Sequence, residues 1–507
     1  MEAQAAPAYS SALRSKHAHA GVAMAVATFA MAATSGVQAL LYLSSFGVDG
    51  RTDGFFVAFG VYAIFGVFSQ SIRVTSVPLL VGDVPRLTLR EFGAALALIA
   101  LPVVVATVPL AGLSAHVLAP GLEPSARAVT QDALPILGAA MVLQLWAAGA
   151  ATVLAVRDRF GAVATAYIAG AVAGLATYVA VSGPAGELSL GWSMLGMALV
   201  TCAAMLVSIR PGPAPAAERP LRPADLARKA GLVLGRTGIY LVFNALYLVT
   251  AAFTSSYGAP GDATVLSYAY LFASYLVAGT GFALGMSRIA DMRRGALADW
   301  REVLRDTVPP GFRYSMMLVA PALAALVTSG APLAGQLFPD SFGPGDVHTL
   351  RVFAALMSAW AVAALLANLL LPALFALGKG KLMALLAPPL MALQIAATAV
   401  GAALFGADGA VGAFFVAPAC FAGLLLVLGT KSGRGSLALE LLRDGARFAG
   451  LAAACFGAGA LAGLAAHGIA RPLVAGAVGC GLYGLVMFRL APRQVRLLAG
   501  ALRPASA

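Results

Sequence analysis

The sequence predicts an all-α polytopic membrane protein of about fourteen transmembrane helices, arranged as two pseudo-symmetric six-helix lobes plus two C-terminal helices. Three observations carry that expectation. Of the 507 residues, 60% are hydrophobic and 11% charged, with a mean hydropathy of +0.88, where a soluble domain has roughly 45–50% apolar and about 25% charged residues. Apolar stretches long enough to cross a bilayer, roughly 20 residues each, follow one another almost end to end. The basic residues collect in alternate gaps between them. A soluble globular enzyme is excluded.

The first apolar run, 21–46, follows a cytoplasmic N-terminal tail, 1–20, that carries Arg14 and Lys16. It is too long for the roughly 7–15-residue core of a signal peptide and reads as a retained span. Spans at 54–80, 91–112, 131–156, 160–182 and 188–209 complete an N-terminal lobe over 21–209. A Pro-rich, basic cytoplasmic linker follows at 210–230 (RPGPAPAAERPLRPADLARKA), too short for a folded domain. Spans at 231–256, 262–290, 308–338, 347–378, 381–406 and 409–429 form a C-terminal lobe over 231–429. A final pair at 446–466 and 470–490 precedes a cytoplasmic tail, 491–507.

All but four of the 33 Lys and Arg residues fall in the gaps or span ends on one side; Arg51, Arg127, Arg351 and Arg471 are the exceptions. The positive-inside rule makes that side cytoplasmic, with both termini in the cytoplasm and the chain in the plasma or inner membrane. The net charge of +12 follows from this asymmetry and does not imply a nucleic acid partner. Cys202, Cys420, Cys455 and Cys480 all lie in apolar stretches and read as small apolar residues, with neither disulfide nor metal expected. The five histidines show no ligand spacing, and no nucleotide-phosphate loop is present, so no cofactor is expected.

An internal repeat supports the two-lobe division. Ser44-Ser45-Phe46-Gly47 with Gly50, at the outer end of the first span, recurs as Ser255-Ser256-Tyr257-Gly258 with Gly261, at the outer end of the seventh. The same displacement carries Ala58-Phe59 onto Ala269-Tyr270. Six intervening spans give both copies the same orientation, as in parallel repeats related by an axis along the membrane normal. Each copy leads through a glycine-containing turn to an acidic residue, Asp53 or Asp262, that opens the next span. Ser45, Gly47, Asp53, Ser256, Gly258 and Asp262 are therefore the expected gate, with N-capping an equal reading of Asp53.

Phe46-Gly47 followed by Thr52-Asp53-Gly54-Phe55-Phe56-Val57-Ala58-Phe59 resembles the signature of the MurJ/MviN lipid II flippases, which usually reads TDAFFVAF; Gly54 is the departure. These flippases belong to the multidrug/oligosaccharidyl-lipid/polysaccharide (MOP) exporter superfamily. Ser69-Gln70, Val77-Pro78, Tyr268-Ala269, Gly281 and Ala283-Leu284-Gly285 echo further positions of the family's second and eighth helices. The resemblance implies a fourteen-helix transporter of a lipid-linked substrate, and it implies arginines in helices 1, 2 and 8 that face a central cavity. Here those positions fall on Ala32, Gln38, Gly66 and Val67, and the YADR pattern of helix 8 reads Tyr268-Ala269-Tyr270-Leu271. The cavity has lost most of its fixed positive charge.

Four arginines nearer the cytoplasmic side, Arg73, Arg236, Arg288 and Arg313, suit an anionic diphosphate through the planar guanidinium fork. They suit interfacial anchors that snorkel toward lipid head groups equally well. Gln38, Asn244 and Tyr270 are polar positions within spans, able to line a wet cavity or to join neighbouring helices. No Asp or Glu lies at mid-span, which disfavours a cation-driven drug antiporter, and the paired Asp49 and Asp53 sit in a loop too short for a glycosyltransferase site. The expected function is a non-enzymatic flippase that moves a polyprenyl-diphosphate-linked saccharide or peptidoglycan precursor by alternating access. Its expected partners are that substrate, membrane lipids and cell-envelope synthesis proteins. A metabolite or multidrug exporter, and a transport-deficient homologue acting as an envelope scaffold, are the alternatives.

Overall fold

The computed structural model describes residues 31, 34–80, 88–157, 159–209, 222–277, 280, 300–376, 380–429 and 434–490. Helix dominates throughout, and among the described residues no strand occurs. Nine helical stretches among them are long and apolar enough to cross a membrane. The expected all-α polytopic class is therefore what the chain adopts. It divides into two compact units, one of residues 1–46 and 50–248, the other of 47–49 and 249–507. The division falls inside the helix Pro223–Tyr257.

The first unit is built around Pro124–Val156, which packs against Gly50–Leu80, Leu89–Thr107 and Ser189–Ser208. Lipid offers no hydrophobic drive between helices, so close approach of small residues does the work. A Cβ at Gly54 would lie 2.0 Å from the Ala126 carbonyl oxygen, and Thr130 Oγ1 donates to the Gly54 carbonyl at 2.8 Å. Phe160–Val181 and Ser189–Ser208 cross by a reciprocal device, with Gly170 against Thr201 and Gly196 against Thr177. The expected span 91–112 is divided: Leu89–Thr107 ends one residue before Val108, and a short helix, Ala111–Leu118, follows. Leu89–Thr107 opens on a reciprocal cap between Thr88 and Glu91. Pro223–Tyr257 begins well ahead of its apolar run, because Pro at its first turn and Asp225 beside it suit a helix start.

The second unit is built around Pro344–Ala376, which packs against Asp262–Val277, Trp300–Ala325 and Val416–Gly429. The apolar stretch Leu382–Val427 covers 46 residues, about 69 Å if straight and more than twice the thickness of a bilayer core. It folds back at Gly406, whose φ of 62° and ψ of −144° interrupt the helix. Gly401 and Gly409 then meet backbone to backbone, and a Cβ on Gly409 would lie 2.0 Å from the Gly401 carbonyl oxygen. Gln394 fastens the return, donating to Thr398 Oγ1 and the Ala413 carbonyl while accepting from the Ala417 N–H. The last two helices, Arg434–Gly463 and Ala470–Leu490, close on Gly459 and Gly479.

Candidate functional site

Of the four arginines read as diphosphate ligands, Arg73 and Arg236 fall on Gly50–Leu80 and Pro223–Tyr257. Their side chains lie outside the described residues, as does the whole of Arg288. Arg313 is described, and its fork is occupied: Nε donates to Asp444 Oδ2 at 2.5 Å and a terminal nitrogen to Glu440 Oε1 at 2.7 Å. Both acids lie on Arg434–Gly463, so the guanidinium ties that helix to Trp300–Ala325. Two carboxylates already match its charge and donors, which leaves little for a substrate phosphate. The sequence reading grouped Arg313 with the other three arginines and did not pair it with Glu440 or Asp444. Glu440 and Asp444, four apart on one helix face, were the available signal.

Gln38 and Tyr270 are both buried in the interior of their own units. Neither amide atom of Gln38 has a hydrogen-bond partner. Tyr270 completes an aromatic cluster, its ring 5.4 Å from Trp360 and 5.9 Å from Phe414, while those two stack at 5.1 Å. That arrangement is packing within the second unit. Asn244 is half-buried on Pro223–Tyr257.

The two turns of the internal repeat agree in structure as well as in sequence. Ser44 and Ser45 donate to the Leu41 carbonyl at 2.8 and 2.9 Å, and Ser255 and Ser256 both donate to the Ala252 carbonyl at 2.9 Å. Leu41 and Ala252 are related by the same displacement as the serines. The left-handed glycine differs between the copies: it is Gly47 in the first, with φ 71°, and Gly261 in the second, with φ 98°. Gly258 serves by its size instead, since a Cβ there would lie 2.6 Å from both the Asp262 carboxylate and the Thr254 carbonyl.

Asp53 is buried in the first turn of Gly50–Leu80. Its neighbour Arg51 pairs with Glu187 at 2.9 Å, and Arg127 donates to the Pro120 and Leu122 carbonyls. Asp262 closes its own turn by accepting the Ala259 N–H at 2.7 Å. It also borders an open cleft of about 250 Å³ in the second unit, with Tyr257, His348, Phe405 and Asp408. Sequence reading placed both aspartates at outer span ends without joining them to His348. Among the described residues, no group of three or more His, Cys, Asp or Glu side chains gathers as a metal site.

A second cavity lies inside the first unit, lined by Gly66, Ser69, Gln144, Tyr167, Met197 and Thr201 among others. Ser69 and Gln144 lie in apolar spans, which was the sequence signal for it.

No protein-family model matches the sequence, and no curated protein matches it either. Solved structures do match in fold. The lipid II flippase MurJ in an inward closed conformation is 14% identical, with a TM-score of 0.71 over 92% of this chain and 99% of that one. A multidrug resistance MATE family transporter of the MOP superfamily, inward-facing, is 12% identical, with a TM-score of 0.60 over 83% of this chain and 98% of that one. An outward-facing MATE family structure is 12% identical, with a TM-score of 0.54 over 84% and 96% of the two chains. The chain thus shares the fold of these transporters.

Proposed function

We propose that the chain is an alternating-access transporter that reorients a polyprenyl-diphosphate-linked saccharide or peptidoglycan precursor across the cell membrane. The observation that carries this reading is the fold likeness to the lipid II flippase MurJ over 92% of the chain, which coincides with the Thr52–Phe59 signature. The one-sided basic residues support an orientation with both termini in the cytoplasm, two lobes at 21–209 and 231–429, and a separate terminal pair. Arg73, Arg236 and Arg288 are the groups proposed to hold the diphosphate, and the two repeated turns are the proposed gate.

The test is reconstitution into vesicles with a fluorescent polyprenyl-diphosphate saccharide on one leaflet. The fraction open to a membrane-impermeant reagent is then followed with time. Protein-dependent equilibration of that lipid, but not of a neutral glycolipid, is the expected result. An exporter of uncharged amphipathic solutes is the second reading, favoured by Leu271 where the family's YADR pattern has arginine, and by the likeness to MATE transporters. Movement of neither lipid nor solute would leave the scaffold reading.

A further inference from the structure

The interior of the first unit contains buried polar atoms that its helices do not satisfy. Ser69, 4% exposed, has an Oγ without a partner, and so does Gln144 Oε1, although Gln144 Nε2 donates to Tyr62 Oη at 3.0 Å. Both line the cavity bounded by Tyr167, Met197 and Thr201, a cavity of about 30 Å³. The series continues along the helix over 34–46. Gln38, fully buried, has neither amide atom bonded, and a Cβ on Gly174 would touch both Gln38 Nε2 and Met197. Tyr178 Oη, on Phe160–Val181, is likewise buried without a partner.

A buried amide or hydroxyl left unpaired costs about 1–3 kcal/mol, and this many in one unit would be a heavy load on a marginally stable fold. An apolar cavity stays dry, whereas a polar one with two to four partners and at least about 10–15 Å³ per molecule holds water. The cavity meets both conditions for roughly two molecules. It contains no carboxylate, so nothing in it offsets the dehydration of a cation.

We propose that the cavity at Ser69, Gln144 and Thr201 is a binding site for water, continued past Met197 to the Gln38 amide. This forms a hydrated seam between the helix over 34–46 and its neighbours Phe160–Val181 and Ser189–Ser208. Water-mediated bonds are nearly as favourable as direct ones. A helix held through them can shift without exposing unpaired groups. The seam stands apart from the transport reading and is tested without it.

The test is radiolytic hydroxyl-radical footprinting of the full-length protein in detergent, which labels side chains beside bound water even when bulk solvent does not reach them. Met197 is buried against the cavity; Met141 in the same unit and Met357 in the other are fully buried elsewhere and serve as references. Met197 is expected to be labelled several-fold faster than either. Ser69→Ala with Gln144→Leu should bring its rate down to that of Met141, leave Met357 unchanged and not raise the melting temperature. Equal rates at Met197 and Met141 in the unaltered protein would overturn the proposal, whether or not the double variant folds. So would a double variant that melts higher, as removal of dry, unpaired polar groups would produce. Loss of Met197 labelling on replacing choline by sodium would overturn it in favour of a cation site.

Discussion

Gly54 and Ala126 meet backbone to backbone: a Cβ at position 54 would lie 2.0 Å from the Ala126 carbonyl oxygen and 2.8 Å from its carbonyl carbon. The contact explains why glycine stands where the flippase signature usually has alanine. Here Gly50–Leu80 lies too close to Pro124–Val156 for any side chain, and Thr130 locks the crossing through the Gly54 carbonyl. Gly54→Ala must push the helices apart, at about 1–3 kcal/mol. A lower melting temperature in detergent is expected, and Ala126→Gly should not restore it, because the obstacle is main chain.

The return at Gly406 gives a second packing prediction. A Cβ there meets only open space and the Tyr257 carbonyl at 3.8 Å, so its cost is conformational. A φ of 62° with ψ of −144° lies outside the left-handed well that asparagine tolerates. Gly406→Ala and Gly406→Asn should therefore both lower stability by about 1–3 kcal/mol. Gly409→Ala should do so by a separate route, through its clash with Gly401. Thermal unfolding of the three variants checks these losses, and an unimpaired Gly406→Asn would contradict the conformational account.

Much of this fold was legible in hydropathy alone, because a bilayer demands long apolar helices and little else. Phe160–Val181 and Ala470–Leu490 sit almost where the apolar runs placed them. The break after Thr107 was not legible in hydropathy, since Val108 and Leu110 are as apolar as the helix they interrupt; Pro109 between them, which disfavours helix at the residue before it, was the signal. The start of Pro223–Tyr257 was missed for the opposite reason: its first turns are polar, and hydropathy does not see a polar helix. The site was less legible than the fold. Nothing in Arg313 itself distinguishes a substrate ligand from a cross-helix tie, and the positions of Glu440 and Asp444 decide.

That tie is itself testable. Asp444 is the more enclosed partner, its side chain 14% exposed against 45% for Glu440. Asp444→Asn should cost about 1–3 kcal/mol, because the guanidinium loses its better-shielded acceptor. Glu440→Gln should cost less than about 1 kcal/mol, as exposed pairs do. Melting temperatures of the single and double variants would show the order. Equal effects would mean that solvent screens both bonds alike.

The proposed orientation rests on the division of basic residues. Reporter fusions after Arg219, Arg301 and Arg434 should read cytoplasmic, and those after Glu123, Gly343 and Asp408 external. Each Lys or Arg that must be translocated opposes insertion, so the side holding all but four of them is expected to stay inside. An external signal at 301 would remove the parallel relation of the two repeats and with it the two-lobe reading.

The last expectation concerns the charge of the substrate. With Arg313 held by two carboxylates, Arg73, Arg236 and Arg288 are left for the proposed diphosphate recognition. Loss of one charge-assisted contact removes about 1.5–3 kcal/mol, so Arg73→Gln or Arg288→Gln should reduce flux of a polyprenyl-diphosphate lipid by roughly 10- to 150-fold. Lysine at either position should restore only part of it, because an ammonium lacks the planar fork that engages two phosphate oxygens at once. Flux of a neutral amphipathic solute, measured in the same vesicles, should not change. If the double glutamine variant still moves the anionic lipid at the full rate per molecule, the arginines are interfacial anchors. The exporter reading would then account better for a chain whose expected cavity positions have become Ala32, Gln38, Gly66 and Leu271.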